Sequence, residues 1–248
     1  MADKKIKCVA DLIKNLNVDK VQNGGAVWYR GHADSSWKLE SAYERLKKPP
    51  KETSLVNEFR QNANYLLDKH TPKTDFDWLI LMQHYGVPTR LLDWSESPLV
   101  ALYFAVDPGE AKLNRKKEGA LWVLDPGKLN TNTNVKRDSY IPAFEEGDYM
   151  SDFETIKFDM QNSAGLMPIA AIATRNNPRI QAQLGAFTIS RSKTPIEEVG
   201  DRSHVRKYII PADSKSVIAE ELKLLGLGRF QIFPELASIG QKIRGSYR

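Results

Sequence analysis

The sequence predicts an α+β fold: a single domain in which a mixed or antiparallel sheet carries packed helices. Helical periodicity dominates the first half of the chain, and short runs of β-formers dominate the second. No internal repeat, heptad pattern or long linker divides the 248 residues. That length suits one large domain or two small ones, at about 100–200 residues each. The hydrophobic fraction of 41% is that of an ordinary globular core. Residues 1–25 read as an N-terminal helical segment and 26–248 as the main domain.

Lys7 to Leu16 places Val9, Leu12, Ile13 and Leu16 at helical spacing, and Gly24-Gly25 then breaks the chain. Ala26 to Arg30 is a run of β-formers, so a strand is expected to stop at Gly31 with Arg30 at its end. Pro49-Pro50 marks a loop. Thr53 or Ser54 then caps a helix to about Lys69, with an apolar stripe at Leu55, Val56, Phe59, Ala63, Leu66 and Leu67. Asp75 or Asp77 caps the next helix, Trp78 to Tyr85, which stops at Gly86 with Pro88 beyond. Ser97-Pro98 pairs a capping Ser with Pro at the first helical position. It opens an almost wholly apolar, hence buried, helix from Leu99 to about Val106.

Gly119 to Asp125 reads as a strand, Lys128 to Lys136 as polar loop, and Asp148 to Asn162 as an irregular stretch with room for a short helix. Further strands are expected at Ile169 to Thr174, Gly185 to Ser190 and Arg206 to Ile210. Asp213 or Ser214 caps a late helix to about Leu225, ended by Gly226, and a final helix covers Glu235 to Lys242.

Composition narrows the function classes. Cys8 is the single cysteine, which excludes an intrachain disulfide and a thiolate metal site and favours a reducing compartment. The four histidines (His32, His70, His84 and His204) avoid metal-ligand spacing such as i, i+4. The N-terminus carries Lys and Asp where a secretory signal has an apolar core, and the longest apolar run, Pro98 to Val106, is far short of the ~20 residues that span a bilayer. A cytoplasmic protein without a membrane partner is the expectation. The net charge of +5 suits either a phosphate-bearing ligand or a solvated basic surface. The densest basic run, Lys112 to Lys117, falls between an apolar helix and an apolar strand, where charge commonly serves solubility.

Three segments concentrate polar and aromatic groups. Tyr29-Arg30-Gly31-His32 sets an Arg at a strand end, where its planar fork can bond two oxygens of a phosphate or carboxylate and Gly31 lets a ligand near the backbone. The alternative is a surface Arg beside a turn glycine. Met82 to Ala105 gathers Gln83, His84, Arg90, Asp93, Trp94 and Ser95 just before the buried helix. Arg90 and Asp93 can pair to fix the loop, and Ser95 falls near a helix N-terminus that favours anions. A capped, salt-bridged helix entry explains the same residues. Asn177 to Ser190 places Gln181 and Gln183 two apart, on one face of a strand, with Arg179 beside them if the strand extends so far. The alternative there is an exposed polar strand face. No G-x-S-x-G, Walker or G-x-G-x-x-G motif is present.

Taken together, these segments resemble the FRG domain, a bacterial family named after a short aromatic-Arg-Gly motif. The likeness runs through Trp28 to His32, His84 to Ser95, Pro98 to Ala105, Asn177-Pro178-Arg179, Gln183 to Phe187 and Phe233 to Leu236. It implies a bacterial protein of a toxin or phage-defence setting. The same segments are similar, more distantly, to arginine-type ADP-ribosyltransferases, which carry a strand-end Arg, a Ser-Thr-Ser segment before a helix and a catalytic Glu on a later strand. That resemblance implies an ADP-ribosyltransferase-like fold and NAD as cofactor, with a protein or nucleic acid as acceptor. Arg30 would bind the diphosphate or ribose, Ser95 would brace the nicotinamide side, and Gln183 would take the place of the catalytic Glu. Tyr29, Gly31, His32, His84, Arg90, Asp93 and Arg179 complete the implied nucleotide site. Gln183 carries no negative charge, so Glu235, Glu197 or Glu198 is left to supply it. Three functions follow as alternatives: an NAD-using transferase or glycohydrolase, a non-catalytic nucleotide or nucleic-acid module, and a protein-interaction domain.

Overall fold

Short β-forming runs, most of them buried along nearly their whole length, build one sheet with cores on both of its faces. The computed structural model describes residues 4–21, 25–67, 72–107, 116–133, 139–160, 167–175, 177–190 and 194–247. In chain order the elements are α1 (Val9–Val18), β1 (Trp28–His32), α2 (Glu52–Ala63), α3 (Asp75–His84), β2 (Leu91–Ser95), α4 (Pro98–Val106), β3 (Gly119–Leu124), α5 (Pro126–Asn132), α6 (Gly147–Met150), α7 (Thr155–Met160), β4 (Ile169–Ala171), α8 (Pro178–Gln183), β5 (Gly185–Ile189), β6 (Val205–Ile210), α9 (Lys215–Leu224), α10 (Arg229–Ile232) and α11 (Leu236–Ser246). The described strands lie in the order β4-β5-β2-β1-β3-β6 and every pairing is antiparallel. The expected α+β class holds, with the sheet antiparallel rather than mixed.

The two faces of the sheet have different covers. Period two puts Tyr29, Leu121, Val123, Phe187 and Ile189 on one face. Its core divides into two clusters. One packs Tyr29, Leu121, Val123 and Tyr208 under α1, α4 and α9. The other packs Leu91, Phe187 and Ile189 against Val56 of α2, Phe76, Leu79 and Met82 of α3 and Ile180 of α8. The opposite face buries Trp28, Leu92, Trp94, Trp122 and Leu124 beneath Leu39, Leu129 and Val199. α4 rides directly on β1 because residue 31 is glycine: a Cβ there would stand 1.9 Å from the Ala101 carbonyl oxygen. α1 belongs to the same core as the main domain. Among the described residues, no helix is long and apolar enough to cross a membrane.

Several elements differ from expectation, each for a physical reason. β1 does not stop at Gly31 but runs to His32, because β3 continues the ladder to Ala120. Neither Thr53 nor Ser54 caps α2. Lys51 holds the cap position, and Asp159 accepts from the Glu52 and Thr53 amides instead. Thr74, not Asp75 or Asp77, caps α3, while Asp77 reciprocates in a capping box. The stretch read as a helix entry contains β2, which pairs along its length with β5. β2 is buried on both faces except at Asp93, so it shows no alternation in sequence. Lys128 to Asn132, within the stretch read as loop, belongs to α5, capped by Asp125 with Pro126 at its first position. β4 ends at Ala171, short of Thr174. Ser214 holds the cap position of α9 without a side-chain cap bond, and α11 runs on to Ser246. Ser97 caps α4 as expected. Of the sequence landmarks, Gly24, Lys69, His70, Lys136, Asn162 and positions 112–115 of the basic run lie outside the described residues.

Candidate functional site

β1 and β2 share a single register pair, Tyr29 with Ser95, and part beyond it. The Arg30 guanidinium occupies the parting. Its Nη1 donates to the Asp93 carbonyl oxygen, and its Nε donates to His32 Nε2 at 3.0 Å. A cavity of about 610 Å³ opens here, walled by α3, α4, α8 and α10. That volume lies within the range of small-molecule sites, about 300–1,000 Å³.

Arg30, Ser95 and Gln183 all line this cavity, as do Tyr29, Gly31, His84, Asp93 and Arg179. Residues that the sequence scatters from position 29 to 183 therefore converge. Their states differ from what the sequence suggested. Ser95 Oγ donates to the Gln183 carbonyl at 2.6 Å and accepts from the Ser97 amide at 3.0 Å. Its hydroxyl proton is thus committed to joining β2 to α8. Gln183 is not on a strand: α8 is a short helix capped by Asn177 and ended by Leu184 at φ 47°. Gln181 and Gln183 therefore diverge, and Gln183 Nε2 donates to the Ile232 carbonyl at 3.1 Å. Gly31 lines the cavity, but the space over its Cα is taken by α4.

Charge in the cavity comes chiefly from guanidiniums. Arg30, Arg179 and Arg229 line it against Asp93 and Asp107. Burial lowers the Arg30 guanidinium to about 10 while Asp93 opposes, so Arg30 is cationic at neutral pH. His32 lies behind it, fully enclosed. Burial and then the Arg30 charge push this imidazole down to about 3, which keeps it a neutral acceptor. His84 is lowered by burial and by Arg179, with Glu235 acting in the other sense. At one end, Phe233 carries two guanidiniums: Arg179 and Arg229 stand 4.8 and 5.1 Å from its ring centroid, and Phe104 meets it edge-on at 5.8 Å.

Other expected site residues lie elsewhere. Arg90 does not pair with Asp93. It is buried outside the cavity lining, 2.7 Å from Glu52, with hydrogen bonds to the Phe153 and Ser190 carbonyls and its guanidinium over Phe158. Glu235 stands off the lining, 3.8 Å from His84 Nε2 and 3.9 Å from Arg179 Nη1. Glu197 accepts from the Leu39 amide and Glu198 pairs with Lys38, both away from the cavity. Among the described residues, no group of three His, Cys, Asp or Glu is placed to hold a metal ion.

The sequence does not single out Arg229 and Asp107, which also line the cavity. Arg229 follows the Gly226-Leu227-Gly228 turn and precedes Phe233 by one helical turn. That spacing was available as a signal.

Residues 25–114 match the family model of the FRG domain, which spans β1, β2 and the floor of the cavity. No curated protein and no solved structure matches the chain.

Proposed function

We propose that this FRG-domain chain binds NAD or a related ADP-ribose nucleotide in the cavity and cleaves it, as an ADP-ribosyltransferase or an NAD glycohydrolase. The observation that carries the reading is the convergence of Arg30, Ser95 and Gln183, from three distant segments, on one ligand-sized cavity. Arg30 offers the guanidinium face not used by His32 and Asp93 to a diphosphate or ribose. Arg179 and Arg229 supply further positive charge, and Phe233, Phe104 and Trp37 offer surfaces on which a base can stack. An ADP-ribosyltransferase-like arrangement is part of the same reading. The toxin or phage-defence setting, and a protein or nucleic-acid acceptor, rest on the family resemblance.

A second reading is a non-catalytic nucleotide-binding module. It is favoured by one observation: Gln183, at the position implied for the acidic residue, is neutral and tied to the Ile232 carbonyl.

One experiment separates the two. The purified chain is incubated with NAD, free nicotinamide is followed by mass spectrometry, and NAD binding is followed by calorimetry. An Arg30→Ala variant of unchanged fold serves as control. Nicotinamide release that needs Arg30 supports the enzyme. Saturable binding without release supports the module. Absence of both defeats the nucleotide reading.

A further inference from the structure

The cavity floor holds a carboxylate that neither reading above uses. β2 is buried at Leu91, Leu92, Trp94 and Ser95 and open only at Asp93, whose side chain is 58% exposed. Asp is a poor strand former, so its place in a buried central strand has no packing rationale. Period two sets Asp93 on the face of Ser95 and opposite Phe187, within the cavity lining. Arg30 holds the Asp93 peptide by its carbonyl, and its Nη1 stands 4.0 Å from Asp93 Oδ2. Among the described residues, no hydrogen bond is made to the Asp93 carboxylate itself. The other lining carboxylate, Asp107, takes the hydroxyl of Tyr103. Gln183 has no charge, and Glu235, Glu197 and Glu198 stand off the lining.

We infer that Asp93 is the carboxylate that faces the anomeric carbon of the nicotinamide ribose and stabilises the cation formed there. The inference rests on the NAD reading. In that step the bond from C1′ to the nicotinamide nitrogen breaks, and its electron pair leaves with the ring, which becomes neutral. Positive charge passes to the ribosyl carbon, where a fixed negative charge in a partly enclosed site lowers its energy. A water molecule, or a nucleophile of an acceptor, then adds to C1′. Its proton passes to the Asp93 carboxylate and on to solvent. The products are nicotinamide, the ADP-ribosyl adduct of that nucleophile and one proton.

The test uses the full chain as wild type, Asp93→Asn and Asp93→Glu, each shown to be folded by its melting temperature. NAD affinity is measured by titration calorimetry and turnover by nicotinamide release. Asp93→Asn is expected to bind NAD within about threefold of wild type and to lose about a hundredfold or more in kcat, with Asp93→Glu between them. Wild-type turnover by Asp93→Asn overturns the inference and leaves the NAD reading standing. Weakened binding with unchanged kcat makes Asp93 a positioning residue for Arg30 and overturns it equally. No nicotinamide release by the wild type removes the catalytic reading, and the inference with it.

Discussion

Arg30 Nε donates to the Nε2 of His32, two residues along the same strand, at 3.0 Å. An imidazole nitrogen that accepts a hydrogen bond carries no proton, so the His32 proton is on Nδ1. The pair gives the guanidinium a neutral anchor that does not compete for its charge.

The pH dependence follows from that anchor. His32 has an ordinary value of 6.5 and is lowered to about 3 in the fold, by burial and then by Arg30. Between those values the unfolded chain takes up a proton that the folded chain refuses, so stability rises with pH across the window. The contribution of His32 is complete above about pH 6.5 and is lost as pH falls toward 3. Urea denaturation at a series of pH values should show wild type losing stability between pH 6.5 and 4 more steeply than His32→Gln. Parallel slopes would contradict it.

Gly31→Ala tests the contact of α4 with β1. The new methyl would meet the Ala101 carbonyl and the Ala105 amide at 1.9 and 2.6 Å, both backbone atoms that cannot rotate away. We expect a loss of about 3 kcal/mol or more, near the upper end for overpacking. Denaturant midpoints would check it, and a loss under about 1 kcal/mol would show that α4 yields.

Glu52→Gln should be more costly to the fold than to the cavity. It leaves the Arg90 guanidinium, 1% exposed, without its carboxylate partner. Breaking one half of such a buried pair costs about 3–5 kcal/mol. Equilibrium unfolding measures the loss, and a near-neutral result would mean that the Phe153 and Ser190 carbonyls suffice to hold Arg90.

Ser95→Ala separates a structural hydroxyl from a ligand-bracing one. The Gln183 carbonyl would lose its donor and the Ser97 amide its acceptor. A stability loss of about 1–3 kcal/mol is expected, the cost of stranding buried polar groups. Thermal melts would record it. A fully stable variant with weakened nucleotide binding would assign Ser95 to the ligand instead.

The sequence announced the cavity better than it announced the elements that form it. Arg30, Ser95, Gln183 and Arg179 were legible as a set because each breaks an apolar or structural pattern. β2 was hidden because a strand buried on both faces shows no alternation, and Asp93 looked like a loop residue. α8 was read as a strand because two Gln at a spacing of two match a pleat. Its Asn177-Pro178 start was the stronger signal, since a capping Asn and a Pro at the first position suit a helix. Arg90 was drawn into the site because it neighbours Asp93 in sequence. Only tertiary structure shows its side chain turned to Glu52, on an element far earlier in the chain.

The order of the lining residues along the chain has a bearing on synthesis. β1 and β2, which form the floor, emerge from the ribosome early, whereas α8, β5 and the Arg229 to Phe233 segment emerge late. β2 waits for β5 to complete its ladder, and the Phe233 end has no counterpart until α10 is made. A chain cut before α8 therefore carries the floor with α3 and α4 beside it but lacks the walls that α8 and α10 supply. A ligand that needs all four walls therefore finds its site only once α10 has been made.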